Sequence, residues 1–122
     1  LWRDEILYAK DLLDGNLREQ LMACLVWYVG VKTGFAVGTG KVGKRFRRYL
    51  EPTQWELLLR SYSDADYERT WDALLAMAEL FRTIGVAIAS AYGYEYPQLD
   101  DQRVTAYLHH IRGLDKAAPQ IY

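Results

Sequence analysis

The sequence has very few of the residues that build covalent or metal-bound scaffolds. It contains one cysteine, Cys24, and two histidines, His109 and His110. A single thiol excludes an internal disulfide and is typical of a chain that folds in a reducing compartment. With no spaced pairs of cysteine or histidine, the sequence gives no pattern for a zinc site. We expect Cys24 to be a buried structural thiol, and we expect no metal ligands on this chain.

The chain also lacks an excess of one charge and a long apolar run. Fifteen basic and sixteen acidic side chains give a formal net charge of −1, so no general field attracts nucleic acid or an anionic membrane. The longest apolar stretch, residues 21–31, is too short to span a bilayer, and no signal-peptide pattern precedes it. We therefore expect a single cytoplasmic domain, residues 1–122, with no nucleic-acid partner and no membrane partner.

Sustained alternation of apolar and polar residues is missing as well, which argues against strands. Apolar residues instead recur at helical spacing over residues 2–13, 17–28 and 71–88. The pattern predicts an all-α, up-and-down bundle of five to six helices. Glycines at the expected ends predict helix termini at Gly15, Gly93 and Gly113. The second of these helices has the broadest apolar surface and is predicted to be central.

Polar residues predict where three of the helices begin. Thr53 and Glu56 have the spacing of a capping box, which would open a short helix after Pro52. Asp66 ends a polar segment that would cap the long helix, and Asp100 would cap the last helix, which reaches about Arg112.

Residues 38–45, GTGKVGKR, fit the spacing of a phosphate-binding loop except at the last position. Arg45 stands where a metal-binding Ser or Thr belongs, and the preceding element is predicted to be a helix rather than a strand. A P-loop NTPase is therefore disfavoured. Two interpretations remain: a flexible solvated connector, or a loop whose Lys41 and Lys44 face phosphates bound mainly by another domain.

Acidic residues crowd the predicted first helix. Asp4, Tyr8 and Asp11 share one face at i, i+4 and i+7 spacing, and Glu5 lies beside them. Carboxylates with an aromatic ring suit a ligand that carries several positive charges. A solvated acidic face is the alternative, since negative charges near a helix N-terminus favour its dipole.

Arg103 precedes His109 and His110 by six and seven positions on the predicted last helix. This spacing resembles that of HEPN-type ribonucleases, small helical domains that use Arg and His without a metal. The pattern is degenerate, because one arginine and one histidine within two turns of a helix often occur together by chance. RNA degradation that is lost on changing Arg103 or His109 would support this alternative.

Several separate segments together resemble the C-terminal part of the aminoglycoside (streptomycin) 6-adenylyltransferases. They are LWRDEILYAK at residues 1–10, WYVGV at 27–31, TGF at 33–35, the Gly-Lys pairs at 40–41 and 43–44, and YEYP at 94–97. The match follows the family's order over almost the whole chain. The N-terminal nucleotidyltransferase domain of the family, with its Gly-Ser turn and paired aspartates, has no counterpart in this sequence.

The resemblance implies a helical substrate-binding domain of an enzyme that transfers AMP from Mg²⁺-ATP to a streptomycin hydroxyl, a reaction that inactivates the antibiotic. Streptomycin carries two guanidinium groups, and the expected drug-binding residues are Trp2, Asp4, Glu5, Tyr8 and Asp11. Lys41 and Lys44 are the expected nucleotide-binding residues. The catalytic base is unassigned, with Asp4 as the one candidate on this chain. Mg²⁺ would be held by the missing N-terminal domain, so we expect the chain alone to be inactive.

A second class of function stays open at this point. The chain would then be a free-standing helical partner of a separate nucleotidyltransferase, as in substrate-binding subunits or toxin–antitoxin pairs. The coding sequence upstream of Leu1 discriminates the two. A continuous frame that encodes Gly-Ser and an Asp-x-Asp pair supports the two-domain enzyme, whereas a start codon supports the separate partner.

Overall fold

Residues 1–121 are described by a computed structural model of the chain, and within them every regular element is helical. The elements are α1 (Ile6–Asp11), a π-helical segment (Leu12–Leu17), α2 (Arg18–Thr33), α3 (Pro52–Arg60), α4 (Tyr67–Tyr92) and α5 (Gln98–Gly113), with short 3₁₀ turns at Lys41–Gly43 and Phe46–Arg48. The predicted all-α class is confirmed.

The chain begins with one long rod rather than two helices. Backbone angles stay in the right-handed helical region across both junctions of the π-helical segment, so α1 and α2 are continuous. Gly15, predicted as a C-terminal cap, lies inside that segment and lacks the positive φ that a capping glycine adopts. The bundle therefore has four rods in its described residues, fewer than the five to six helices predicted.

The rods alternate in direction. Tyr28 near the end of α2 accepts a hydrogen bond from Gln54 at the start of α3 (3.0 Å), so α3 runs antiparallel to α2. The α4 helix returns alongside both, and α5 runs back down α4: Asp101 at its start pairs with Arg82, and Arg112 at its end pairs with Glu68. The up-and-down arrangement is confirmed.

The core lies between α2, α3 and α4. The prediction that α2 is central is correct, because its Leu21, Leu25 and Val29 are fully buried, opposite Leu80 and Ile84 of α4. Cys24 packs partly buried against this core, and burial raises the pKa of its thiol, as fits a structural cysteine.

Two of the three helix starts predicted from capping residues are wrong. The α3 helix begins at Pro52, one residue before Thr53, because a proline suits the first helical position, where no N–H partner is needed. Its capping box uses Glu51 and Gln54, whose Oε1 accepts the Glu51 N–H at 2.9 Å. Asp100 lies in the first turn of α5 and is not its cap, since that helix already begins at Gln98.

The predicted ends of α4 are correct. Asp66 is its N-cap, and the Asp66 carboxylate accepts the Arg69 backbone N–H at 2.8 Å. Gly93 ends the helix with φ +70°, which glycine adopts without the strain that a side chain would bring. Within residues 1–121, α4 is also the one helix long and apolar enough, by length and composition alone, to cross a membrane. It packs in the bundle against α2 and α3 and supplies much of the core.

A buried arginine ties the beginning of α2 to the end of α3. The Arg18 guanidinium donates to Ser61 Oγ (2.5 Å) and to the Ser61 carbonyl (2.7 Å), and it lies 3.7 Å from the centre of the Tyr62 ring. Ser61 is fully buried and Arg18 is only 8% exposed. These bonds satisfy a helix C-terminus that is closed to water.

We expect Arg18→Met to lower the free energy of unfolding by about 2 kcal/mol, because the buried Ser61 oxygens lose their charged donor while the side-chain volume is kept. Urea denaturation followed by circular dichroism would measure the change. The matched control is Arg103→Met on the exposed side of α5. Equal losses in the two variants would show that the Arg18 bonds contribute nothing specific.

A polar cluster fastens the beginning of α5 to α4. Asp101 accepts two hydrogen bonds from Arg82 (2.5 and 2.9 Å) and one from the Tyr96 hydroxyl (2.9 Å). The hydrogen bonds from Arg82 have the largest effect on Asp101, and those from Tyr96 and Thr105 add to it. Together they lower the pKa of Asp101 to about 2. Burial, and then the bond to Asp101, raises the pKa of Tyr96 to about 12.

Because the Asp101 pKa is depressed by folding, its contribution to stability is present above the ordinary value of 3.8 and is lost as the pH falls toward 2. We expect Asp101→Asn to lower the free energy of unfolding at pH 7 by about 1 kcal/mol, a modest value because the pair is partly exposed. The variant should also lose part of the pH dependence between 4 and 2, measured by denaturation at each pH. Asp100→Asn, in the same turn, should retain both.

Candidate substrate groove

A groove of about 410 Å³ lies where the start of the chain meets α4 and α5. One wall is formed by the first residues and by α1 with the π-helical segment that follows. The opposite walls are the first turns of α4 and the last turns of α5. The lining side chains include Trp2, Glu5, Tyr8, Leu12, Leu13, Trp71, Leu74, Tyr107 and Ile111.

A tight turn places the first residues at the groove. The Asp4 N–H donates to the Leu1 carbonyl (3.1 Å), and Asp4 adopts φ +58°, in the left-handed region that non-glycine residues seldom occupy. The Trp2 indole N–H donates to the Leu114 carbonyl just beyond α5 (3.2 Å). Residues before α1 are thereby held against the far end of the chain.

Apolar side chains, both aliphatic and aromatic, make up most of the groove, and its charges are few. Glu5 and Arg3 are its only charged lining residues among those described, and Trp2, Tyr8, Trp71 and Tyr107 contribute rings. Glu5 is the residue before α1, yet its carboxylate makes no capping bond and stays exposed. A carboxylate beside aromatic faces can bind an organic cation through charge pairing and cation–π contact.

Three of the five predicted drug-binding residues, Trp2, Glu5 and Tyr8, come together in this groove. Asp4 and Asp11 are not part of its lining. The predicted shared face of Asp4, Tyr8 and Asp11 is wrong, because helix α1 starts only at Ile6 and Asp4 lies in the preceding turn. Asp4 forms an ion pair with Lys116, and Asp11 lies on the exposed side of α1.

Trp71 and Tyr107 are groove residues that the sequence did not single out as functional. Trp71 belongs to the apolar face of α4, and its spacing is that of any core residue. Tyr107 lies on α5 and reaches the groove only because α5 packs beside the first turns of α4. No local pattern marks such a residue, since its position depends on contacts between distant parts of the chain.

The basic turn, residues 38–48, has an irregular backbone. Gly40 and Gly43 have φ +78° and +67°, and the Arg45 N–H donates to the Thr39 carbonyl (2.9 Å). Lys41 and Lys44 are both exposed, and neither belongs to an ion pair in the described part of the chain. The turn follows a helix end at Gly34 rather than a strand, so it is not a P-loop.

The groove and the basic turn lie at opposite ends of the bundle. Lys32, near the end of α2, donates to the Tyr49 carbonyl (2.9 Å) and pairs with Glu51 (3.1 Å), so the segment after the basic turn is fastened there. From Tyr8 to Lys32 the rod extends roughly 35 Å at the usual rise per residue. The structure therefore does not bring Lys41 and Lys44 to the residues that line the groove.

Arg103 and His109 do not converge on a common site. Asp101 and Thr105 both accept hydrogen bonds from Arg82 of α4, so this side of α5 faces α4. His109, four residues after Thr105, lies on the same side and lines a smaller groove of about 250 Å³ together with Arg82. Arg103 lies on another side of α5 and is exposed. His110 follows Arg103 at seven-residue spacing and is exposed on the same side of α5, so the structure separates Arg103 from His109 but not from His110.

No cluster of three or more His, Cys, Asp or Glu that could hold a metal ion occurs among residues 1–121. The carboxylates near the groove are dispersed: Glu5 faces it, Asp4 pairs with Lys116, and Asp14 pairs with Lys10 and Arg18.

Comparison with known proteins identifies the family. The family model described as streptomycin adenylyltransferase matches residues 1–111. The chain is 34% identical over 101 residues to an aminoglycoside 6-adenylyltransferase of Bacillus subtilis (strain 168), and 32% identical over 108 residues to one of Campylobacter jejuni. These alignments cover 83% and 88% of this chain.

The fold is shared with a solved relative. A crystal structure of an aminoglycoside 6-adenyltransferase from Bacillus subtilis superposes with a TM-score of 0.77 at 32% identity and covers 93% of this chain. The chain spans 36% and 37% of the two curated relatives and 43% of the solved one. Because the family match extends over most of its length, the chain belongs to the streptomycin adenylyltransferase family.

Proposed function

We propose that this chain is the C-terminal substrate-binding domain of an aminoglycoside nucleotidyltransferase, and that its groove faces the drug. The full-length parent would transfer AMP from ATP to a streptomycin hydroxyl, which confers antibiotic resistance. The observation that carries the proposal is the meeting of Trp2, Glu5 and Tyr8 in one aromatic groove of a chain that belongs to this family.

The groove's chemistry fits one end of a guanidinium-bearing drug. The Glu5 carboxylate would accept hydrogen bonds from one guanidinium group, and the rings of Trp2 and Tyr8 would lie against it. The apolar floor that Trp71 and Leu74 contribute would exclude water and strengthen that pairing. The chain's part in the reaction is to bind and orient the attacking hydroxyl.

We assign the remaining functions of the enzyme to the rest of the parent protein, since this chain spans less than half of the length of its relatives. That part would be an N-terminal nucleotidyltransferase domain that holds ATP and Mg²⁺ and supplies the catalytic base. Asp4, the candidate base on this chain, is engaged by Lys116 outside the groove lining. We assign the parent to the cytoplasm, with no nucleic-acid or membrane partner.

We expect Glu5→Gln in the full-length parent to raise the KM for streptomycin about tenfold, since the guanidinium loses a charged partner in a groove that is partly closed to water. The kcat and the KM for ATP should change little. Steady-state kinetics with each substrate varied in turn would measure this. Asp11→Asn, on the exposed side of the helix that follows Glu5, is the matched control, and an equal effect there would remove Glu5 from the drug site.

We propose that Lys41 and Lys44 attract the approaching nucleotide by their charge. Replacing both by alanine in the parent should raise the KM for ATP several-fold, more strongly at low salt, and leave the KM for streptomycin unchanged. The control replaces Arg47 and Arg48, which belong to the same turn, by alanine. An unchanged nucleotide dependence at every salt concentration would exclude the two lysines from this role.

A further inference from the structure

We propose that the segment after α5, residues 114–121, is a clamp that holds the first five residues in their drug-binding geometry. In this arrangement Lys116 and Asp4 are positioning residues, which act on the drug through Trp2 and Glu5. The inference rests on the proposed function for the identity of the ligand, and on this chain's own contacts for the clamp itself.

Two contacts join residues 1–5 to the segment after α5. The Trp2 indole N–H donates to the Leu114 carbonyl (3.2 Å), and the Lys116 ammonium pairs with the Asp4 carboxylate. Ile121 reaches the same groove and completes its lining beside Leu1 and Trp2. Residues more than a hundred positions apart thus form one edge of the groove.

The residues before α1 form a turn rather than part of the helix. They precede α1, and their turn is closed by the bond from the Asp4 N–H to the Leu1 carbonyl. Asp4 has φ +58°, a conformation that costs about 1 kcal/mol for a non-glycine residue and persists only where neighbouring contacts hold it. The ion pair with Lys116 acts on this strained residue directly.

The clamp is itself anchored to the opposite wall of the groove. Arg112 at the end of α5 pairs with Glu68 and Asp72 of α4 (2.8 and 2.9 Å). Beyond it, Asp115 accepts backbone N–H bonds from Ala117 and Ala118 and so shapes the turn that carries Lys116. The ammonium of Lys116 also lies 5.4 Å from the Tyr67 ring at the start of α4.

The family match ends at Ile111, before the clamp begins. Since Glu5 directly follows Asp4, a change at Lys116 alters the orientation of the groove's carboxylate without touching the drug. We infer that residues 114–121 adjust the groove's fit to its ligand and act on drug affinity rather than on the chemical step.

The test uses kinetics of the full-length parent with Asp4→Asn, Lys116→Ala and the charge-swapped double variant Asp4→Lys with Lys116→Asp. Each single variant should raise the KM for streptomycin about threefold, in keeping with an exposed ion pair, and leave kcat and the KM for ATP unchanged. The swap should restore most of the loss. A large fall in kcat for Asp4→Asn that the swap does not restore would make Asp4 a catalytic residue and overturn the inference.

Hydrogen exchange of the Trp2 indole N–H in the 122-residue chain tests the clamp independently of activity. We expect slower exchange for Trp2 than for the exposed Trp27, and faster Trp2 exchange in Lys116→Ala. Unchanged exchange together with an unchanged KM would overturn the clamp. If the wild-type parent does not modify streptomycin while Trp2 stays protected, the proposed function and the drug role of the clamp fail, but the contact between the chain ends stands.

Discussion

The buried guanidinium of Arg18 determines where the rest of the bundle can lie. It fixes the start of α2 against the end of α3, and further polar contacts follow just beyond α3. Lys10 of α1 donates to the Ser63 carbonyl (2.7 Å), and the Ser63 hydroxyl donates to that of the fully buried Thr70 in α4 (3.4 Å). Through Ser63, these contacts set the position of the first turns of α4 relative to α1. Those two surfaces are the facing walls of the groove.

The two halves of the molecule are held by different forces. Helices α2, α3 and α4 share a core of buried apolar side chains, whose stability depends little on pH or salt. Helix α5 buries only Ile111 within its span and is fastened by the pairs of Arg82 with Asp101 and of Arg112 with Glu68. The wall of the groove that α5 provides is therefore the less stable one, and ions that screen charge act on it first.

Local signals in the sequence were sufficient to predict the helical class, the core role of α2 and the ends of α4. They failed where a distant contact or a small shift decides the outcome. Gly15 has the local signature of a cap, but the rod continues through it and buries Leu13 before Gly15 and Leu21 after it. A start at Ile6 rather than at Trp2 is a shift of four residues, and it moves Asp4 out of the helix altogether.

The same reasoning explains why only part of the groove could be predicted. Trp2, Glu5 and Tyr8 are close in sequence, and the resemblance of residues 1–10 to the family drew attention to them. The other walls come from α4 and α5 and from the residues beyond α5, which meet α1 only after the bundle has formed. A single sequence contains no information about contacts between residues that lie far apart along it. Trp71, Tyr107 and Lys116 could therefore be found only from the structure.

The distance between the groove and the basic turn constrains how one reaction could use both. Transfer of AMP brings the drug hydroxyl and the α-phosphate of ATP to a single point, yet the two ends are separated by most of the α1–α2 rod, roughly 35 Å. That length exceeds an extended nucleotide, so only one end can border the reacting atoms. The groove joins residues of three helical rods around a carboxylate, whereas Lys41 and Lys44 extend into solvent from an irregular turn. Because we propose that the groove borders the reacting atoms, Lys41 and Lys44 lie several screening lengths from them at physiological salt, and their proposed role is limited to attracting the approaching nucleotide.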